Sequence, residues 1–173
     1  MNYRRHLALF ALSAAAGLVC AAAPAVHAYW VKQHASFCSA QWSVNSWTLY
    51  NGGFENSDPV NQMGLLCPVA DDSQHPKSAV AAINVHVRDG NSTSLMWAEA
   101  CVTFRTTPGG SCGDADWTTD NSFVGYDTLT PPPDVWADHP DDYGYIFVLV
   151  PVAAEGRGSP YLTSAVLGYE LQD

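Results

Sequence analysis

Tryptophan is the residue type whose placement first suggests chemistry at the surface of this protein. Trp117 lies in a polar segment and Trp136 in a proline-rich one, so both rings are expected to be exposed. Exposed indole rings stack on the apolar faces of sugars and also favour protein interfaces. Trp117 and Trp136 are therefore the candidate ligand-binding residues, whereas Trp97, which shares a strand with Cys101, is expected in the core.

Closely spaced carboxylates form the candidate metal site. Asp114, Asp116 and Asp120 fall within one short segment, and hard oxygen ligands at such spacing suit Ca²⁺. An EF-hand is excluded, because Gly125 stands where that loop, counted from Asp114, requires a bidentate glutamate. A solvated, turn-forming loop explains the same residues. The favoured prediction is a protein without a bound metal or cofactor, with calcium as the alternative.

Histidines are the candidates for general-base catalysis, and four lie in residues 29–173: His34, His75, His86 and His139. The sequence contains no HExxH, P-loop or Rossmann glycine motif, so common metalloprotease and nucleotide-binding signatures are missing. A catalytic triad can still be assembled from distant residues. A secreted hydrolase is therefore the alternative to a binding module, although His86 on the polar side of a strand is more simply explained as a solvated imidazole.

Cysteine spacing favours disulfides over zinc. Cys38, Cys67, Cys101 and Cys112 allow three pairings, and no CxxC or HxxxH spacing supports a zinc site. Cys38–Cys67 and Cys101–Cys112 are favoured, because each pair closes a short loop bounded by turn residues such as those at 108–110.

The first 28 residues have the organisation of a secretory signal peptide. Arg4 and Arg5 precede an apolar run over 7–19, and small residues around Ala28 suit a signal peptidase. Lipidation at Cys20 and a twin-arginine leader are less favoured alternatives. Residues 29–173 are therefore expected to be exported to the periplasm or the cell exterior. No later stretch is apolar enough to span a membrane.

Charge excludes one large class of partner. Seventeen acidic residues oppose seven basic ones, giving a net charge of -10. Nucleic-acid binding depends largely on lysine and arginine displacing counterions from phosphates, so a nucleic-acid partner is excluded. Hydrophobic residues make up 47% of the chain, which is sufficient for a globular domain.

Alternating hydrophobicity predicts the elements that must position these residues. Residues 83–87 alternate between apolar and polar, 143–152 are apolar on both faces, and alternation returns over 165–171. The turn at 89–91 is expected to join the first of these strands to residues 95–105 as a hairpin. Shorter strands are expected at 46–50, 64–69 and 122–129, and a surface loop at 130–140. The sequence predicts one antiparallel β-sandwich domain of about seven or eight strands over 29–173.

Several short motifs together resemble a known family. They are the run Tyr-Asn-Gly-Gly-Phe-Glu-Asn at 50–56, Cys-Pro-Val at 67–69, a tyrosine-rich late strand ending at Pro151, and Leu-Gly-Tyr-Glu at 167–170. This order is similar to that of small secreted β-sandwich proteins abundant in myxobacteria and related bacteria. In that family the late strand carries a cysteine where this sequence has Val148. The resemblance implies architecture and export, but no activity.

The sequence thus predicts a secreted, monomeric, non-enzymatic binding or structural module. Its expected partner is a carbohydrate or a protein at the cell exterior.

Overall fold

The computed structural model describes residues 30–41, 47–50, 52–119, 125–153 and 163–173. These residues form two antiparallel β-sheets whose buried faces pack against each other, so the predicted all-β antiparallel sandwich is confirmed. The expected signal peptide, Cys20 and Asp120 lie outside the described residues.

The described chain has twelve strands rather than seven or eight, because several are too short to be detected as alternating patterns. The strands are β1 (Trp30–His34), β2 (Ser39–Ala40), β3 (Trp47–Tyr50), β4 (Gly53–Asn56), β5 (Met63–Pro68), β6 (Ala82–Asp89), β7 (Trp97–Thr103), β8 (Gly110–Cys112), β9 (Asp116–Trp117), β10 (Gly125–Leu129), β11 (Tyr143–Val150) and β12 (Ala165–Gln172). The helical elements are α1 (Asp134–Asp138) and two 3₁₀ turns, Ala35–Phe37 and Lys77–Ala79.

Sheet I has the strand order β10-β6-β12-β4-β3, with β1 also paired to β12. β4 and β1 lie along the same side of β12, pairing with its first and last residues respectively. β6 pairs with the opposite side, and the register shifts between Val166 and Gly168. This irregularity takes Leu167 out of the regular ladder, as expected of a β-bulge.

Sheet II has the order β2-β5-β11-β7-β8, with β9 also paired to β7. β8 and β9 lie along the same side of β7, so that Cys112 is opposite Cys101 and Trp117 is opposite Trp97. β11 lies at the centre of the sheet, which agrees with the prediction from its continuously apolar sequence.

The core fills the space between the sheets, and alternation explains which residues enter it. Every second residue of β6 is buried, because successive side chains of a strand point to opposite faces. The core residues contributed by the long strands are Met63, Leu65, Ile83, Val85, Val87, Ala98, Ala100, Val102, Ile146, Val148, Val150, Val166, Tyr169 and Leu171.

The predicted hairpin between β6 and β7 is wrong. β6 pairs with β10 and β12 in sheet I, whereas β7 pairs with β11, β8 and β9 in sheet II. The chain therefore crosses from one sheet to the other between these strands. The turn residues at 89–91 belong to this crossing.

A buried carboxylate stabilises the crossing. Asp89 accepts hydrogen bonds from the backbone N–H of Asn91 and the hydroxyl groups of Ser164 and Thr118, at 2.9, 3.1 and 2.9 Å. Because these partners come from three separate segments, Asp89 joins the end of β6 to the start of β12 and to the residue after β9. Hydrogen bonds to a charged acceptor also offset the cost of burying it.

Two disulfides cross-link the sandwich, Cys38–Cys67 and Cys101–Cys112, which are the two pairings favoured from loop length. Cys38 and Cys67 belong to the core, whereas the second disulfide joins facing residues of β7 and β8.

The proline-rich segment at 130–140 is not only a surface loop, because it contains α1. This helix packs against β7 and the 3₁₀ turn Lys77–Ala79. Lys77 is 1% exposed, and its ammonium donates to the carbonyl of Pro140 at 2.6 Å and pairs with Asp71 at 3.3 Å. The segment is thus fixed to the body of the domain. Within the described part of the chain, no helix has the length and hydrophobicity to cross a bilayer.

Candidate ligand-binding faces

The outer face of sheet II carries aromatic side chains on three neighbouring strands. Trp117 on β9 lies opposite Trp97 on β7, and their ring centroids are 5.5 Å apart. Phe147 on β11 follows, with its ring centroid 5.2 Å from that of Trp97. The ring planes are tilted by 42° and 47°, which avoids the unfavourable face-to-face arrangement. These three residues are called the aromatic row below.

Exposure falls along the aromatic row, so Trp117 is the ring most available to a ligand. Trp117 is 50% exposed, Trp97 is half-buried, and Phe147 is 8% exposed. Trp97 therefore packs beside Trp117 on the outer face of the sheet. Its expected place in the core between the sheets is wrong.

The backbone on both sides of Trp117 is bound to other parts of the fold. The carboxylate of Asp116 accepts from the backbone N–H groups of Trp117 and Thr130 at 3.0 and 2.6 Å, and from the Thr130 hydroxyl. The N–H of Thr118 donates to the carbonyl of Met96 at 3.0 Å, and the Thr118 hydroxyl donates to Asp89 at 2.9 Å. The backbone that carries the exposed indole is therefore held in place by hydrogen bonds on both sides.

Glu99 places a carboxylate on the same face as the aromatic row. It follows Trp97 by two residues on β7 and lies opposite Phe147 on β11, so all three side chains share the outer face. Burial raises the pKa of Glu99. Among the described residues, no cation forms an ion pair with it. Its carboxylate is therefore a hydrogen-bond acceptor next to Trp97.

Glu99 also lies close to the second disulfide, and this grouping does not form a metal site. A carboxylate oxygen of Glu99 and the sulfurs of Cys101 and Cys112 lie within 4.8 Å of one another. The two sulfurs are bonded to each other, however, and only thiolates bind metals strongly.

Trp136 does not belong to a ligand-binding surface. It is 0% exposed, and its indole N–H donates to the carbonyl of Cys101 at 2.9 Å. The predicted exposure of this ring is wrong because α1 turns Val135 and Trp136 inward, while Asp134 and Asp138 on the same helix remain exposed. The predicted pair is thus reduced to Trp117.

The three carboxylates considered for calcium have different environments. Asp116 uses both oxygens to accept hydrogen bonds from Trp117 and Thr130, Asp114 is exposed, and Asp120 lies outside the described residues. Asp116 therefore positions Trp117. The spacing of the aspartates in the sequence did not indicate this role.

The outer face of sheet I contains an open groove of about 440 Å³. Its lining residues are His86, Val87, Tyr126, Asp127, Thr128 and Leu167. Thr128 on β10 lies opposite His86 on β6, and the hydroxyl is 3.2 Å from the imidazole Nδ1. The other ring nitrogen of His86 is 3.5 Å from Glu170, whose carboxylate is also 2.7 Å from the ammonium of Lys32. The Lys32 interaction lowers the pKa of Glu170.

The hydrolase alternative is poorly supported by the geometry around His86. A catalytic triad needs a carboxylate that orients the imidazole through a direct hydrogen bond, and 3.5 Å between His86 and Glu170 is too long for one. The groove is also open to solvent, whereas active sites bury most of their substrate.

A Gly-x-Ser-x-Gly spacing at residues 109–113 does not form a nucleophile elbow. Ser111 lies within β8, opposite Val102, and Cys112 is in a disulfide. A nucleophile elbow requires a tight turn from a strand into a helix, whereas Ser111 is the middle residue of the strand β8.

Comparison with known proteins gives only remote structural similarity. No protein-family model matches the chain, and no curated protein matches it. Among solved structures, it is similar to a low-affinity xylan-binding module, CBM86, from Roseburia intestinalis. The identity is 11% over 84% of this chain and 94% of that chain, with a TM-score of 0.43. At this level the similarity does not extend to site residues or to a ligand.

Proposed function

We propose that this protein is an exported, non-enzymatic module that binds carbohydrate, with Trp117 as the ring on which a sugar stacks. The observation that carries the proposal is the half-exposed indole of Trp117 on a backbone fixed at Asp116 and Thr118. A ring held in place before binding loses little conformational entropy when a ligand stacks on it.

Glu99 and the aromatic row supply what a sugar needs besides the stacking ring. A pyranose has an apolar face and a rim of hydroxyl groups. The Trp117 indole suits the apolar face, and the carboxylate of Glu99, on the same face of sheet II, can accept hydrogen bonds from hydroxyl groups. Charge-assisted hydrogen bonds of this kind are stronger than neutral ones.

Export is supported by the two disulfides, because such bonds persist in oxidising compartments. The chain from residue 29 onward would then act at the cell exterior or in the periplasm, after removal of the leader at 1–28.

Isothermal titration calorimetry with neutral hexasaccharides of xylose, glucose, mannose and N-acetylglucosamine tests the proposal. We expect at least one probe to bind and to change the tryptophan fluorescence. The variant W117A should bind that probe at least about tenfold more weakly, which corresponds to about 1.4 kcal/mol.

Trp47→Ala is the matched control. Trp47 is 47% exposed, close to the value for Trp117, but it lies on the edge strand of sheet I and stacks on Phe54. Binding should be the same in this variant as in the unchanged protein. Equal losses in W117A and W47A, or no saccharide-dependent heat with any probe, would contradict the proposal.

A further inference from the structure

The groove on sheet I lies on the side of the sandwich opposite to Trp117. It is bounded by β6 and β10, and by Leu167 at the irregular register of β12. Among the strands that the structure describes, β10 pairs with β6 alone and lies at the end of the sheet. The Leu167 bulge therefore forms one wall, and the side chains of β10 form the other.

Tyr126 is the most exposed aromatic residue lining this groove, at 71%. It lies two residues before Thr128 on β10, so the ring and the hydroxyl share one face of the strand. His86 faces Thr128 across the strand pair. A flat ring, a hydroxyl group and an imidazole thus line one open surface, spaced by the regular geometry of a β-sheet.

Hydrogen bonds hold the polar part of the groove in place. Asp127 accepts from the N–H of Thr128 at 2.8 Å and from the hydroxyl of Thr119 at 3.2 Å. Thr128 in turn contacts the ring of His86. The groups that a ligand would meet are therefore already oriented.

The charges around the groove favour a neutral ligand. Among the described residues, the cations near it are Lys32, which pairs with Glu170 at 2.7 Å, and Arg88, which is 3.5 Å from Glu55. Arg88 also donates to the carbonyl and hydroxyl of Thr163. Because both cations already have partners and the chain carries a net charge of -10, an anionic ligand would meet net repulsion.

We propose that this groove is a second binding site, specific for a neutral, hydroxyl-rich oligosaccharide. The sugar ring stacks on Tyr126, and its hydroxyl groups exchange hydrogen bonds with His86 and Thr128. This site uses no residue of the aromatic row, so it goes beyond the proposed function and does not depend on it.

Two sites on opposite faces give the module a property that neither site has alone. The sheets pack back to back, so one sugar ring cannot reach both Trp117 and Tyr126. A protein with both sites can instead bridge two polysaccharide chains. Its attachment to a polysaccharide surface then benefits from effective concentration.

The experiment is an NMR titration of the ¹⁵N-labelled W117A variant, in which the first site is removed. Neutral hexasaccharides of xylose, glucose, mannose and N-acetylglucosamine are added to millimolar concentrations. We expect saturable shifts of the amide signals of β10, His86 and Leu167. The double variant W117A/Y126A should weaken this binding at least about tenfold.

W117A/Y143A is the matched control, because Tyr143 is 65% exposed but is the first residue of β11 in sheet II. Its titration should equal that of W117A. Since removing the Tyr126 side chain alters an edge strand, Thr128→Val provides a second test. It keeps the shape of the side chain, removes the hydroxyl group, and should also weaken binding at the groove.

The outcomes separate the two sites. Saturable shifts of the β10 amides in W117A support a binding site in the groove, even if calorimetry shows no saccharide binding at Trp117. The proposal is overturned if no probe shifts these amides, or if Y126A and T128V leave the affinity unchanged. Tighter binding of hexagalacturonate than of every neutral probe would overturn the assignment to a neutral sugar.

Discussion

At the scale of single residues, environment decides the role of chemically identical side chains. Trp117 and Trp136 both come from polar or proline-rich sequence, yet one indole is half-exposed and the other is fully buried with its N–H bound to a carbonyl. A buried indole N–H needs a partner, and the carbonyl of Cys101 provides it. Trp136 therefore stabilises the fold, while Trp117 remains available to a ligand.

Glu99 shows the same dependence on environment, and it leads to a prediction about pH. Its pKa is raised by burial, so the folded protein disfavours the charged form. The stability that Glu99 contributes in its protonated form is complete at a pH below the ordinary glutamate pKa. It is lost as the pH rises through the raised pKa of the folded protein, because the charged side chain is then buried. Glu99→Gln should therefore unfold at a higher temperature than the unchanged protein at pH 7, and the difference should vanish in acid.

Glu170→Gln is the control with the opposite sign. The pKa of Glu170 is lowered, chiefly by its hydrogen bond to Lys32, so its contribution is present at neutral pH and is lost as the pH falls. Thermal unfolding of both variants between pH 3 and pH 8 checks the prediction. E99Q should also weaken saccharide binding while stabilising the free protein, whereas a purely structural Glu99 would leave binding unchanged.

At the scale of elements, a two-residue strand carries the candidate binding ring. β9 consists of Asp116 and Trp117 and pairs with β7. An element of this length has too few ladder hydrogen bonds to be stable alone. Its position depends on Asp116, whose carboxylate binds the segment after β10 through Thr130.

Asp116→Ala should weaken saccharide binding without removing the stacking ring. Without the hydrogen bonds from Thr130 to Asp116 (the Asp116 tether), the Trp117 side chain must be ordered during binding, which costs about 0.5–1.5 kcal/mol. The dissociation constant measured by calorimetry should rise by the corresponding factor of about two to thirteen. Asp114→Ala, at an exposed position two residues before Asp116, is the control and should bind normally. Equal affinity of D116A and the unchanged protein would show that the tether has no role.

At the scale of the whole molecule, the two sheets are joined by a buried tyrosine as well as by the core. Tyr169 on β12 of sheet I is 1% exposed, and its hydroxyl donates to the carbonyl of Pro68 on β5 of sheet II. Burial raises the pKa of Tyr169 to about 12. The neutral phenol is therefore the form that stabilises the sandwich.

Tyr169→Phe should lower the free energy of unfolding by about 1 kcal/mol, the usual value for a buried hydrogen bond. The raised pKa adds a second signature: stability from Tyr169 is complete below the ordinary tyrosine pKa and is lost as the pH rises toward 12. The unchanged protein should thus lose stability at alkaline pH more steeply than Y169F. Urea unfolding between pH 8 and pH 11 measures both effects. Tyr143→Phe, at an exposed position, should change neither.

Local patterns in the sequence determined the class of fold and many of its parts. Alternation in β6 and β12 and the continuous apolar run of β11 predicted an antiparallel sandwich, because side chains of a strand point alternately to two faces. Loop length favoured the two disulfide pairs that the structure contains. The same alternation shows that Trp97 and Glu99 share a face, although it does not show which face meets solvent.

Tertiary structure alone decided the strand partners and the surroundings of each candidate residue. The turn after β6 looks local, yet the chain crosses there to the other sheet, because β6 and β7 pair with strands distant in sequence. The same long-range packing buries Trp136 under α1 and fixes Trp117 through Asp116. Sequence periodicity specifies which residues share a face. Pairing between distant segments determines what that face contacts, and the candidate sites depend on those contacts.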